Sequence, residues 1–160
     1  MCRDWAHCDS ISPMSSPMAN GLRVAVTGAA GSIGSRLVAS LAASDDVGAV
    51  IALDARPIDL VHTKVHSYQR DILQPIDDLL KDHGIASVVH LAFQLKPGRN
   101  REAARRINVG GTARVLQSCQ FADVDHIVYL SSSTVYGAHP AHDAPFTEDS
   151  PVWPVRGFQY

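Results

Sequence analysis

From Leu22 onward, short runs of apolar residues alternate with longer stretches whose apolar positions recur every three or four residues. The runs Leu22–Thr27, Ala49–Asp54, Ser87–Ala92 and His126–Leu130 predict strands, being short, almost continuous and rich in Val, Ile and Leu. A less apolar strand is predicted over Lys64–Arg70. Ile33, Leu37, Val38 and Leu41 repeat at helical spacing and predict a helix over Ser32–Ser44. A short helix is predicted over Ile76–His83, with Pro75 suited to its first turn. A longer one is predicted over Asn100–Phe121, with Ala104, Ile107, Gly111, Val115 and Cys119 down one face. Apolar strands separated by helices predict an α/β domain whose parallel sheet is covered on both faces. Right-handed crossovers then give about five strands in the order 3-2-1-4-5, a doubly wound nucleotide-binding half. Residues 1–20 lack any periodicity and predict a disordered tail ahead of one domain over 21–160.

The first strand runs straight into Gly28-Ala29-Ala30-Gly31-Ser32-Ile33-Gly34. A strand, a glycine-rich turn and a helix leave backbone N–H groups at the helix start, where the dipole also favours anions. Gly28 allows the tight exit from the strand, Gly31 admits a pyrophosphate, and Gly34 lets the helix pack closely on the sheet. Ser35 follows, and no Gly-Lys-Ser/Thr occurs, so a triphosphate P-loop is excluded. The second strand ends in Asp54, twenty residues after Gly34, placed to accept from a ribose diol. Its charge would repel a 2′-phosphate, which favours NAD over NADP, while Arg56 moderates the preference.

Composition narrows the function classes. A chain of 160 residues, 46% apolar and 19% charged, is one ordinary globular domain. Its net charge of −2 gives no reason to expect nucleic acid or an anionic membrane as a partner. No apolar run approaches the roughly 18 residues of a membrane span, and residues 1–20 lack the apolar stretch of a secretory signal, so no targeting role is expected of them. Three cysteines, Cys2, Cys8 and Cys119, fit a reduced cytoplasmic setting. The eight histidines form no metal-ligand pattern, so no metal is expected.

Thr27-Gly28-Ala29-Ala30-Gly31-Ser32-Ile33-Gly34 resembles the TGxxGxxG signature of short-chain dehydrogenases/reductases. Further stretches resemble the extended branch, the NAD-dependent epimerase/dehydratase family: His90-Leu91-Ala92-Phe93, Asn108-Val109-Gly110-Gly111-Thr112, Leu130-Ser131-Ser132-Ser133-Thr134-Val135-Tyr136-Gly137 and Phe146-Thr147-Glu148-Asp149-Ser150-Pro151. They follow the family's order over about residues 22–160. The resemblance implies a Rossmann-type fold and NAD as cofactor. It implies that Asp71 and Ile72 sit by the adenine, and that Leu91 and Ala92 line the cofactor groove. Asn108 would help hold the active-site hydrogen-bond network. Ser132, four residues before Tyr136, would bond the reacting oxygen, with Ser131 and Ser133 as alternatives. The family's dehydratases carry an Asp-Glu pair where Ser133 and Thr134 stand, which turns the expectation towards an epimerase or dehydrogenase.

The same resemblance places the acid–base tyrosine at Tyr160, 28 residues after Ser132. The lysine expected four residues later is missing, and no lysine follows Lys96. The chain therefore reads as a truncated cofactor-binding portion, inactive as it stands, of an oxidoreductase acting on a nucleotide sugar or related secondary alcohol. The full-length form could pair as a homodimer. A non-catalytic NAD-binding module or sensor is the alternative. Methyl transfer is a third class, but it has no use for the Ser131–Gly137 element.

Overall fold

The computed structural model describes residues 21–95, 100–137 and 145–154. The predicted tail and Tyr160 lie outside the described residues. Five parallel strands form one sheet: β1 (Leu22–Thr27), β2 (Val47–Asp54), β3 (Val65–Gln69), β4 (Ser87–His90) and β5 (His126–Tyr129). Their spatial order is β3-β2-β1-β4-β5, as the crossover argument predicts. The connecting helices are α1 (Ser32–Ala43), α2 (Asp77–Asp82), α3 (Arg101–Arg105) and α4 (Thr112–Phe121).

The two-residue period of the strands divides the core. Val24, Val26, Val50 and Ala52 face α1, where Val38 packs against them. Ala25, Ile51, Leu53 and Val88 face the other way, onto Ile76, Leu79 and Leu80 around α2 and Val115 and Cys119 of α4. A sheet buried on both sides explains why β2 is apolar at successive positions rather than alternating. The edge strands are the exceptions: β3 has no fully buried residue, and all four residues of β5 are exposed, including Ile127, Val128 and Tyr129.

Several boundaries differ from the sequence reading. Strand β4 stops at His90, two residues early, because Ala92 turns its N–H to the Thr27 hydroxyl instead of to a ladder carbonyl. Pro75 precedes the first turn of α2, whose cap is Ile76. In α1 the fully buried positions are Gly34, Val38 and Ala42, and Ile33 is 57% exposed. The single helix expected over Asn100–Phe121 is interrupted by a π-helical segment, Arg106–Gly111. Two contacts account for it. Gly111 lies so close to Ile72 that a Cβ there would be 2.4 Å from Ile72 Cδ1. Thr112 Oγ1 donates to the Asn108 carbonyl at 2.6 Å, replacing the main-chain bond that the wider turn gives up. Among the described residues, no helix is long and apolar enough to cross a membrane.

Candidate cofactor and active site

In a parallel sheet all strands end at the same edge, and the sequence-predicted site residues follow those ends. Gly28 succeeds β1, Asp54 closes β2, Asp71 lies two residues beyond β3, Leu91 and Ala92 succeed β4, and Ser132 lies three beyond β5. The strand order reverses between β1 and β4, where ligands of open α/β sheets bind. Tyr160 lies outside the described residues, so its position relative to Ser132 is not part of this geometry.

The turn after β1 is closed by its own backbone. Gly31 N–H donates to the Gly28 carbonyl at 3.0 Å. Gly28 has φ +72°, and a Cβ there would stand 2.7 Å from the Ala92 nitrogen. Gly34 approaches this turn rather than the sheet: its Cβ would be 2.1 Å from the Gly28 oxygen. Gly31 caps α1 without a side-chain bond, and no acidic residue occupies the first turn. The first-turn N–H groups of Ser32, Ile33 and Gly34 thus present an uncompensated positive dipole end. By contrast, α2 carries Asp77 and Asp78 in its first turn.

Asp54 is 8% exposed and does more than the sequence indicated. Its Oδ2 accepts from Ala30 N–H at 3.0 Å, bracing the glycine turn. Its Oδ1 accepts from Arg56 N–H at 2.9 Å and Arg56 Nε at 3.2 Å. A carboxylate offers about four acceptor positions, so one remains on Oδ2 for a ribose hydroxyl. Asp71 Oδ1 accepts from Leu73 N–H at 2.9 Å, an Asx turn that leaves the other oxygen outward. Ile72 is buried in the core against Gly111, so any contact with a base would have to come through its main chain. Asn108, also buried, accepts from Gln94 N–H at 2.7 Å and donates to the Gln94 carbonyl at 3.2 Å. It therefore pins the loop after β4.

Ser132 caps the 3-10 turn Ser133–Tyr136. Its Oγ accepts from Thr134 N–H at 3.3 Å and from Thr134 Oγ1 at 3.0 Å. Because it accepts in both contacts, its own hydroxyl hydrogen is available to an incoming oxygen. Nearby, the Tyr136 and Phe146 rings stack at 5.0 Å. The sequence marked Thr134 only as standing where the dehydratases carry an acid; its bonds to Ser132 went unforeseen, although a hydroxyl two residues after Ser132 is the spacing of a local side-chain turn.

The reading also missed a buried polar chain. His90, 2% exposed, bonds Thr27 Oγ1 through Nδ1 at 2.6 Å and Thr112 Oγ1 through Nε2 at 2.9 Å. Burial alone lowers its pKa to about 4. A shallow depression of about 550 Å³ runs along α4 past Arg114 and Gln117 and takes in none of the predicted site residues. A smaller cavity of about 190 Å³ lies beside Ala29, Ala30 and Ser35, under residues 57–60.

Comparison with known proteins agrees with this geometry. The chain is 31% identical over 122 residues to L-arabinose 1-dehydrogenase (NAD(P)(+)) of Haloferax volcanii, covering 76% of this chain and 45% of that protein. It is 34% identical over 150 residues to UDP-glucose 4-epimerase of Mycolicibacterium smegmatis, covering 86% and 47%. The structure of MoeE5 in complex with UDP-glucuronic acid and NAD superimposes with a TM-score of 0.70 at 36% identity, covering 82% and 43%. The chain thus spans less than half the length of each of these three proteins. The sequence model of the NAD dependent epimerase/dehydratase family matches residues 24–160, and the chain belongs to that family.

Proposed function

We propose that these residues form the NAD-binding half of an oxidoreductase that works on a nucleotide sugar or a related secondary alcohol. The observation that carries the reading is one strand edge where an uncapped helix N-terminus, a glycine turn and a bracing carboxylate meet. The residues present fit the cofactor: backbone donors without a neutralising acid suit a pyrophosphate, and Asp54 Oδ2 keeps one acceptor position for a ribose. In this reading Ser32, Ile33 and Gly34 hold the pyrophosphate through their N–H groups. Asp71 and the Ile72 main chain meet the adenine, with the outward Asp71 oxygen accepting from its exocyclic amine. Leu91 and Ala92 wall the groove, and exposed Ile33 adds an apolar contact.

NAD, when bound, supplies the hydride acceptor. The chain's own residues orient the alcohol and move its proton. Ser132 donates to the reacting oxygen, and Tyr160 is the proton-transfer group. Thr134, where the family's dehydratases carry an acid, donates its hydroxyl to Ser132, which supports epimerase or dehydrogenase chemistry. The substrate class rests on relatives that are UDP-glucose 4-epimerases and on the UDP-glucuronic acid complex of MoeE5. Within these 160 residues no lysine follows Lys96 to stabilise a Tyr160 phenolate. The 160-residue chain is therefore proposed to bind NAD without efficient hydride transfer.

Calorimetric titration tests the cofactor assignment. The chain should bind NAD in preference to NADP. Asp54→Ala removes a charged acceptor worth about 1.5–3 kcal/mol, so NAD affinity should fall by roughly ten- to a hundredfold. NADP should lose less, because the same substitution removes a charge that repels the 2′-phosphate. Equal losses for both cofactors would refute the role of Asp54 and point to Arg56. No NAD binding by the unaltered chain would refute the reading itself.

A further inference from the structure

The hydrogen-bond chain through His90 has a single consistent direction. Thr112 has one hydroxyl hydrogen and gives it to the Asn108 carbonyl. It can only accept from His90, so His90 Nε2 must carry the proton. A neutral imidazole protonated at Nε2 has Nδ1 as acceptor, and the Thr27 hydroxyl therefore donates to Nδ1. This leaves Thr27 Oγ1 as an acceptor for Ala92 N–H, where the structure has that bond at 3.3 Å. Every donor and acceptor along the line is thereby matched. Thr27, His90 and Asn108 are all buried, where an unmatched polar group would be destabilising.

The ends of this chain coincide with the walls of the groove. Thr27 immediately precedes Gly28, and its hydroxyl fixes Ala92. Gly28 already touches that segment so closely that no Cβ would fit between them. At the other end the π-helical segment presents Asn108, which grips Gln94 by both main-chain groups. The loop from Leu91 to Leu95 is thus held from two sides, and His90 is the group that joins them. We propose that His90, as the neutral Nε2–H tautomer, is a positioning residue that clamps the glycine turn to the loop after β4 and so fixes the width of the cofactor groove. This rests on the reading that NAD occupies that groove. Thr27 and Thr112 are the hydroxyls through which His90 acts.

The clamp can be opened from its far end without altering a group assigned to the cofactor. In Thr112→Val the shape is retained, but His90 loses its acceptor and Asn108 its donor. Calorimetry of the full chain should show NAD bound about tenfold more weakly, the scale of one lost hydrogen bond. Thr112→Ser keeps the hydroxyl and should restore the unaltered affinity. A merely structural role would lower the melting temperature of Thr112→Val while leaving its Kd for NAD unchanged, and that result would overturn the proposal. An unaltered chain that does not bind NAD would overturn the cofactor reading first and the clamp with it. A second measurement does not need the variants or the cofactor. Nitrogen NMR of His90 near pH 7 should show a protonated Nε2 and an unprotonated Nδ1. The opposite tautomer would overturn the relay even if Thr112→Val failed to fold.

Discussion

Gly34→Ala is expected to destabilise the chain by about 3 kcal/mol or more, the upper end of what overpacking a closed site produces. The added Cβ would lie 2.1 Å from the Gly28 oxygen and 2.9 Å from Ala29 Cα. Both obstacles are backbone atoms, so no side-chain rotation can make room. Nor can the turn retreat. Gly28 already abuts Ala92, its carbonyl accepts from Gly31, and Ala30 is tied to Asp54. The strain would pass into the strand-to-helix junction, so cofactor affinity should fall along with stability. Gly110→Ala supplies the control. It lies in the π-helical segment, where a Cβ would meet Leu73 Cδ2 at 3.8 Å, an ordinary contact. That variant should stay within about 0.5 kcal/mol of the unaltered chain. Urea unfolding of the three proteins decides the matter. A Gly34→Ala midpoint equal to that of Gly110→Ala would mean that the turn is softer than its contacts indicate.

The fold was legible because its signals are local and repeated. Runs such as Val50–Leu53 are buried on both faces, and glycines and aspartates punctuate them. Chain connectivity then leaves few strand orders, and the one found is the one expected. The spacing also places the glycine turn after β1 and Asp54 at the end of β2, where the structure has them. What spacing could not supply was the second use of each group. Asp54 braces Ala30 and pairs with Arg56, which requires knowing how close β2 runs to the β1 turn. The helical spacing that includes Ile33 predicts the helix but not its buried face, which runs through Gly34, Val38 and Ala42 while Ile33 is exposed. The π-helical segment has no period of its own to detect. It arises where Gly111 meets Ile72, a contact between residues 39 apart. Likewise, Thr27, His90 and Thr112 are unremarkable singly. Only register unites them: Thr27 pairs with His90 across β1 and β4, on the face that packs against Val115 of α4.

Acid should unfold this chain in part through His90. Its pKa is about 4 in the folded chain, lowered by desolvation, against 6.5 for an exposed histidine. Its surroundings are the Thr27 and Thr112 hydroxyls and, from β5, the Tyr129 ring at 5.6 Å, and no charged group contributes to the shift. Above pH 6.5 both folded and unfolded chains keep the ring neutral, and the stability is intact. As the pH falls, the unfolded chain takes up a proton that the folded chain refuses, so stability is lost between about 6.5 and about 4. Below that window both states are protonated and the loss stops. At 1.36 kcal/mol per pKa unit, the full effect is about 3 kcal/mol. His83, lowered by burial and by its neighbours His66 and Arg23, shifts stability in the same direction. The measurement is therefore a difference: urea stability of the chain minus that of His90→Gln, at pH 7 and pH 4.5. Glutamine cannot titrate, so this difference should shrink by about 2–3 kcal/mol on acidification. A difference that stays level across the window would mean that His90 is solvated or charged in the folded protein, and the neutral clamp would fall with it.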